Sequence, residues 1–291
     1  MKHKINPTVD CVFKAILGRE ENKNLLIHFL NAVLEPDSLI KEIVLTNPYN
    51  EREFVADKLT VVDVKATDEN KCHYQIEIQL ALHPALSARM LYTWSSLYHS
   101  QIKKGDDFGK LKPVISIWIL NESLFDNVDD CHLPFVLYNQ KNQLVLSEDI
   151  EIHLLQLPKW QSQQIKTEKE RWIYLFKEGK NVDVDTPPEA LNTDEMRQAM
   201  EVLNRFSENQ ENYLLYQSRL DAILLQNTLV SEMAKVKRER EQERKAREQA
   251  IKREEQARKE KEQVQAKLDS LLLQLKERGM DEMISEVFKE K

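Results

Sequence analysis

The sequence predicts an α/β fold, a mixed sheet flanked by helices, followed by a long C-terminal α-helix. Three observations carry this. Residues 58–80 hold two β-rich runs around a polar turn, the pattern of a β-hairpin. Val114-Ile115-Ser116-Ile117-Trp118-Ile119 is almost wholly apolar, as a central strand should be. From about Asn209 no glycine or proline interrupts a helical pattern until Gly279. The expected division is a sheet domain over 1–180, a helical connector over 181–208, a long charged, coiled-coil-like helix over 209–278 and a tail over 279–291.

Taken in order, Thr8 is placed to cap a helix starting near Val9, with Val9, Phe13, Ile16 and Leu17 at helical spacing. The pattern resumes at Leu26, Phe29, Leu30 and Val33, and Glu35-Pro36 stops it. Ile40 to Thr46 reads as a short strand, and Asn47-Pro48-Tyr49-Asn50 as a turn. In the hairpin, Lys58 to Ala66 is one strand and Cys72 to Leu80 the other. Tyr74, Ile76 and Ile78 share one face of the second strand, and Gln75, Glu77 and Gln79 the opposite one. After Pro84, the residues Leu86, Met90, Leu91, Trp94, Leu97 and Tyr98 form the apolar stripe of a helix ending near Lys103-Lys104-Gly105. Weaker strands follow around 135–138 and 152–157, then helices over 168–178 and 187–208.

The last third changes character. Tyr216, Leu220, Ile223, Asn227 and Val230 follow a heptad seam, which is lost between Lys237 and Gln263 and returns one residue out of phase at Val264, Leu268, Leu271 and Leu275. The charged middle has opposite charges four apart (Glu243–Arg247, Glu248–Lys252, Glu254–Arg258), which support a solvated helix. A spacer helix between two short pairing patches and a homodimeric rod both remain open, and the basic side chains either grip phosphates or form a solvated face.

Composition narrows the function. The chain is 31% charged and carries a net charge of -7, against an unspecialised nucleic-acid binder, which is usually basic. Five glycines leave no room for glycine-rich phosphate loops. Three widely spaced cysteines, Cys11, Cys72 and Cys131, suggest neither a disulfide framework nor a zinc site. No apolar run reaches the roughly 20 residues that span a bilayer, and two lysines at the start precede no apolar run. A cytoplasmic protein without a membrane partner is expected.

The informative residues lie on the hairpin. A short hairpin can set Asp63 beside Glu77, and two such carboxylates repel unless a cation sits between them. Hard oxygen ligands suit Mg²⁺ or Mn²⁺. From spacing alone the alternative stands: these residues form the wet side of a sheet.

The run Asn6-Pro7-Thr8-Val9-Asp10-Cys11-Val12-Phe13-Lys14-Ala15 resembles the opening of the recombination-promoting nuclease family, also known as PD-(D/E)XK nuclease family transposases. Glu21 to Ile27, Phe29 to Leu34, Asp57 to Ala66, Tyr74 to Gln79 and Leu157-Pro158-Lys159-Trp160 continue the likeness, which spans roughly residues 5–180. The resemblance implies a restriction-endonuclease-like core and Mg²⁺-dependent cleavage of DNA, in a setting of recombination, mobile elements or defence. It makes Asp63 and Glu77 the two acids of the motif and the backbone carbonyl of Ile78 a further metal ligand. Asp10 matches an accessory acid; its alternative role is a favourable charge at a helix N-terminus.

Gln79 stands where the superfamily name has lysine, as is common in the branch this chain resembles. Glutamine orients by hydrogen bonds but supplies no charge. Lys65, two residues after Asp63 on the same strand face, is a candidate for the missing cation, or else a solvated or ion-paired lysine. The leading expectation is a DNA endonuclease with Asp63, Glu77, Gln79, Lys65 and Asp10 at its site. The competing one is a catalytically weak or inactive nuclease fold that serves as a DNA-binding or protein-interaction module through its long helix.

Overall fold

The computed structural model of the protein describes residues 3–46, 64–162, 164–183 and 186–278. The expected turn at 47–50 and the first part of the hairpin, 58–63, lie outside them. The chain divides into two units, Met1–Leu225 and Gln226–Lys291.

The first unit is built on a six-stranded sheet. Its strands are β1 (Ile43–Thr46), β2 (Val64–Asp68), β3 (His73–Gln79), β4 (Val114–Leu120), β5 (His132–Val136) and β8 (Ile150–Gln156), in the order β1-β2-β3-β4-β8-β5. The three central strands, β3, β4 and β8, run parallel, and antiparallel partners close both sides. Two two-residue strands that the sequence did not suggest, β6 (Tyr138–Asn139) and β7 (Leu144–Val145), form a separate hairpin. The alternating pattern of the main hairpin fixes its register, Val64↔Ile76 and Lys65↔Gln75, because a one-residue slip would turn Ile76 and Ile78 off the core face. Its turn is held by Asp68, whose carboxylate accepts from Asn70 N (2.9 Å), Cys72 N (2.8 Å) and Tyr74 Oη (2.9 Å).

Four helices pack on one face: α1 (Asp10–Leu17), α2 (Lys23–Leu34), α4 (Glu168–Glu178) and α5 (Asp194–Glu208). Phe13, Phe29, Trp172 and Phe176 interlock there, with Phe13–Phe176 and Phe29–Trp172 centroids 5.5 Å apart. The stop at Glu35 is real: this residue turns into the left-handed region (φ 49°) and donates its N–H to Asn31 O. Thr8, by contrast, does not cap α1. Its hydroxyl is engaged by Asn6 and Asn121, and Val9 takes the cap position without a side-chain bond. The helix expected from 187 begins only at Asp194, where Thr193 accepts from Met196 N.

The other face is covered by α3 (Leu86–His99), which contains the whole stripe but ends before the expected Lys103-Lys104-Gly105. Leu86 and Met90 pack on Trp118, Leu120, Ile150, Ile152 and Leu154. Trp94, Tyr98 and Trp118 serve packing: Trp94 Nε1 donates to Val114 O (2.8 Å) and Tyr98 Oη to Asp149 (2.7 Å).

The last helix, α6 (Gln210–Glu277), is continuous over 68 residues. In the first unit the expected seam is used internally. Tyr216 is buried and accepts from Asn6 N (3.1 Å), and Leu220 and Ile223 pack on the same core. In the second unit Val264, Leu268, Leu271 and Leu275 remain exposed. Among the described residues the charged stretch pairs Glu241 with Lys245, Arg244 with Glu248 and Arg258 with Glu262, instead of the three pairs expected. Glu248 and Arg258 each have an opposite charge four residues to either side, and exposed pairs of about 0.2–0.5 kcal/mol do not select between them. Among the described residues no helix is long and apolar enough to cross a membrane.

At the sheet edge, His132 Nε2 and His153 Nδ1 lie 2.9 Å apart, and His153 Nε2 lies 3.0 Å from Glu151. Burial, then the neighbouring His153, push His132 down to about 4. In the unfolded chain it titrates near 6.5, so between these values the unfolded state binds the extra proton. Stability is therefore full above pH 6.5 and falls as the pH drops toward 4, by about 2 kcal/mol after discounting for solvent screening. Urea denaturation across that range should show this slope, and His132→Gln should flatten it.

Candidate active site

The polar face of β3 is not wet. Gln75 and Glu77 are buried beneath α3. Gln75 Nε2 donates to Ser116 Oγ (2.6 Å) and Thr93 Oγ1 (3.2 Å), so both faces of the strand are interior. Two residues along, Glu77 is 1% exposed and its Oε2 accepts from Arg89 Nη2 at 2.8 Å. Arg89 also lies over the Trp118 ring, 5.5 Å from its centroid. A carboxylate this deep is tolerable only with a cation beside it.

Arg89 was not among the expected site residues. Its signal was in the sequence: Leu86, Arg89, Met90 and Thr93 follow the i, i+3, i+4, i+7 rule, which places a charge at the edge of an inward face.

The C-terminal end of β3 meets the start of α1. Gln79 O accepts from Asn121 N (3.0 Å), and Asn121 Nδ2 donates to Thr8 Oγ1 (3.0 Å). Asn121 and Thr8 thus join two segments more than a hundred residues apart. Asp10 follows in the first turn of α1. Its Oδ2 is 3.5 Å from Arg219 Nε on α6, and its Oδ1 is buried with no hydrogen-bond partner among the described residues. Gln79 is half-buried, with its side chain on the same face as Glu77. Lys65 is half-buried on β2, opposite Gln75 and one row from Glu77.

Asp63 lies outside the described residues. Val64, the residue after it, pairs with Ile76, the residue before Glu77. Among the described residues no three His, Cys, Asp or Glu side chains gather as metal ligands.

A mixed sheet with helices on both faces and a buried acid on a central strand places the protein in the α/β class. The chain belongs to the PD-(D/E)XK nuclease family transposases, whose family model matches residues 7–233. A search of curated proteins and a search of solved structures find no match.

Proposed function

We propose that the protein is a divalent-metal-dependent DNA endonuclease with its site at the C-terminal end of β3. The observation that carries this is Glu77: a carboxylate buried on a central strand, in the stretch that resembles the family's motif, with the Arg89 guanidinium 2.8 Å away. The donor chemistry fits Mg²⁺ or Mn²⁺, hard ions that take carboxylates and backbone carbonyls. Asp63, Glu77 and the Ile78 carbonyl would hold the ion. The unpartnered Asp10 Oδ1, on a helix tied to β3 through Asn121, is available as an accessory acid. When bound, the metal supplies Lewis acidity toward the scissile phosphate and makes a water more acidic.

The remaining tasks fall to this chain's own groups. Gln79 orients the attacking water through hydrogen bonds, since its amide cannot carry charge. Lys65 supplies a positive charge toward the phosphate as negative charge develops there. Arg89 pairs with Glu77 and balances its charge. The long helix carries the exposed apolar row at 264–275, the surface through which two copies would pair.

Metal binding alone tests the site. A ligand that binds only the folded state raises its stability. Millimolar Mg²⁺ or Mn²⁺ should raise the melting temperature of the wild type, and Asp63→Ala should abolish the rise. A wild-type melting temperature indifferent to both ions would count against the proposal.

A further inference from the structure

α3 leaves part of its face of the sheet open. Among the described residues Val44 on β1 is 69% exposed on that face, and Thr46 is exposed beside it. Between this strip and the C-terminal end of α3 lies a cleft of about 380 Å³. Among the described residues four lysines line it, Lys65 and Lys71 from the hairpin and Lys110 and Lys112 from the loop before β4. Among the described residues no acid lines it, in a chain where Asp and Glu outnumber Lys and Arg by 49 to 42. Asp106, outside the lining, lies 2.8 Å from Lys110 Nζ and offsets one charge. His73 adds none near neutral pH, because burial lowers its pKa.

The cleft is held in shape. Gln101 Nε2 donates to Lys112 O (2.9 Å) and Gln101 Oε1 accepts from Lys112 N (2.8 Å), tying the loop to the end of α3. Asp68 fixes the turn that presents Lys71. Like charges gathered on a rigid frame repel one another, and an anion relieves that repulsion.

Position identifies the anion. Lys65 pairs with Gln75, two residues before Glu77, and His73 lies four residues before it on the same face. At the strand's rise that is about 13 Å, or roughly four base-pair steps of DNA. Lysines act as point charges, which suits contacts to the phosphates of a nucleic-acid backbone. We propose that this cleft holds the phosphate backbone of the DNA a few nucleotides from the Glu77 site. The inference rests on the nuclease reading and places its substrate.

The test is binding of a short labelled duplex in EDTA, where metal-dependent cleavage is off, across a salt series. Each phosphate contact contributes about 0.9 to the slope of log K against log salt. Lys71→Ala/Lys110→Ala/Lys112→Ala should lower the slope by about 2–3 and weaken binding on the order of tenfold, with an unchanged melting temperature. A charge-matched control on the opposite face, Lys23→Ala/Arg197→Ala/Arg205→Ala, should keep the wild-type slope. Inorganic phosphate should displace the duplex no better than chloride at equal ionic strength. An unchanged slope in the cleft variant overturns the proposal, as does an equal fall in the control, displacement by free phosphate, or a wild type that binds no duplex. Metal-dependent cleavage with an unchanged slope would reject the cleft and keep the nuclease. A lowered slope without cleavage would keep the cleft and reject the nuclease.

Discussion

Glu77→Gln should lose at least about 100-fold in metal-dependent DNA cleavage while keeping its fold, since even outer-shell partners of a metal contribute 10- to 100-fold. The substitution preserves volume and an acceptor for Arg89, and removes only the negative charge. Arg89 is then left without its counter-charge, but its side chain is 38% exposed and reaches water. The expected loss therefore lies in metal affinity and turnover. Cleavage rates across a metal titration, with circular dichroism as the control for fold, check it. Wild-type rates in the variant would remove Glu77 from the chemistry.

Arg89→Met is the converse case and should act on stability first. It leaves Glu77 charged and buried without the guanidinium. Breaking a fully buried pair costs about 3–5 kcal/mol; the partial exposure of Arg89 brings the expected loss to about 2–3 kcal/mol near neutral pH. The loss follows from the group left behind, a buried carboxylate with no guanidinium beside it. A divalent cation replaces part of the missing charge, so Mg²⁺ should raise the melting temperature of Arg89→Met more than that of the wild type. Equal stability of the two proteins from pH 4 to 8 would contradict this account of the pair.

Much of this was legible in the sequence, and the gaps have physical causes. Period-two alternation marked β3 and sorted Glu77 from Ile76, because successive side chains on a strand point to opposite faces. It could not say what covers the second face, so Gln75 and Glu77 read equally well as solvated. Only α3 packing on that face makes them interior. Tyr216, Leu220 and Ile223 have heptad spacing whether they meet a second chain or their own domain, and here they meet their own core. Thr8 satisfied the rule for an N-cap, but its hydroxyl donates to Asn6 and accepts from Asn121, and the second partner, more than a hundred residues away, is one that no local pattern reports. Arg89 was hidden because a single charge in an amphipathic stripe is ordinary at the edge of a helix.

The central claim is metal-dependent hydrolysis of DNA at the end of β3. It is tested most directly by incubating supercoiled plasmid with the wild type and with Asp63→Ala, in Mg²⁺, in Mn²⁺ and in EDTA. The account predicts nicking by the wild type with either metal, none in EDTA, and none by the variant under any condition. Equal nicking by both proteins, or none by the wild type with either ion, would contradict it and leave a nuclease fold that works by binding alone.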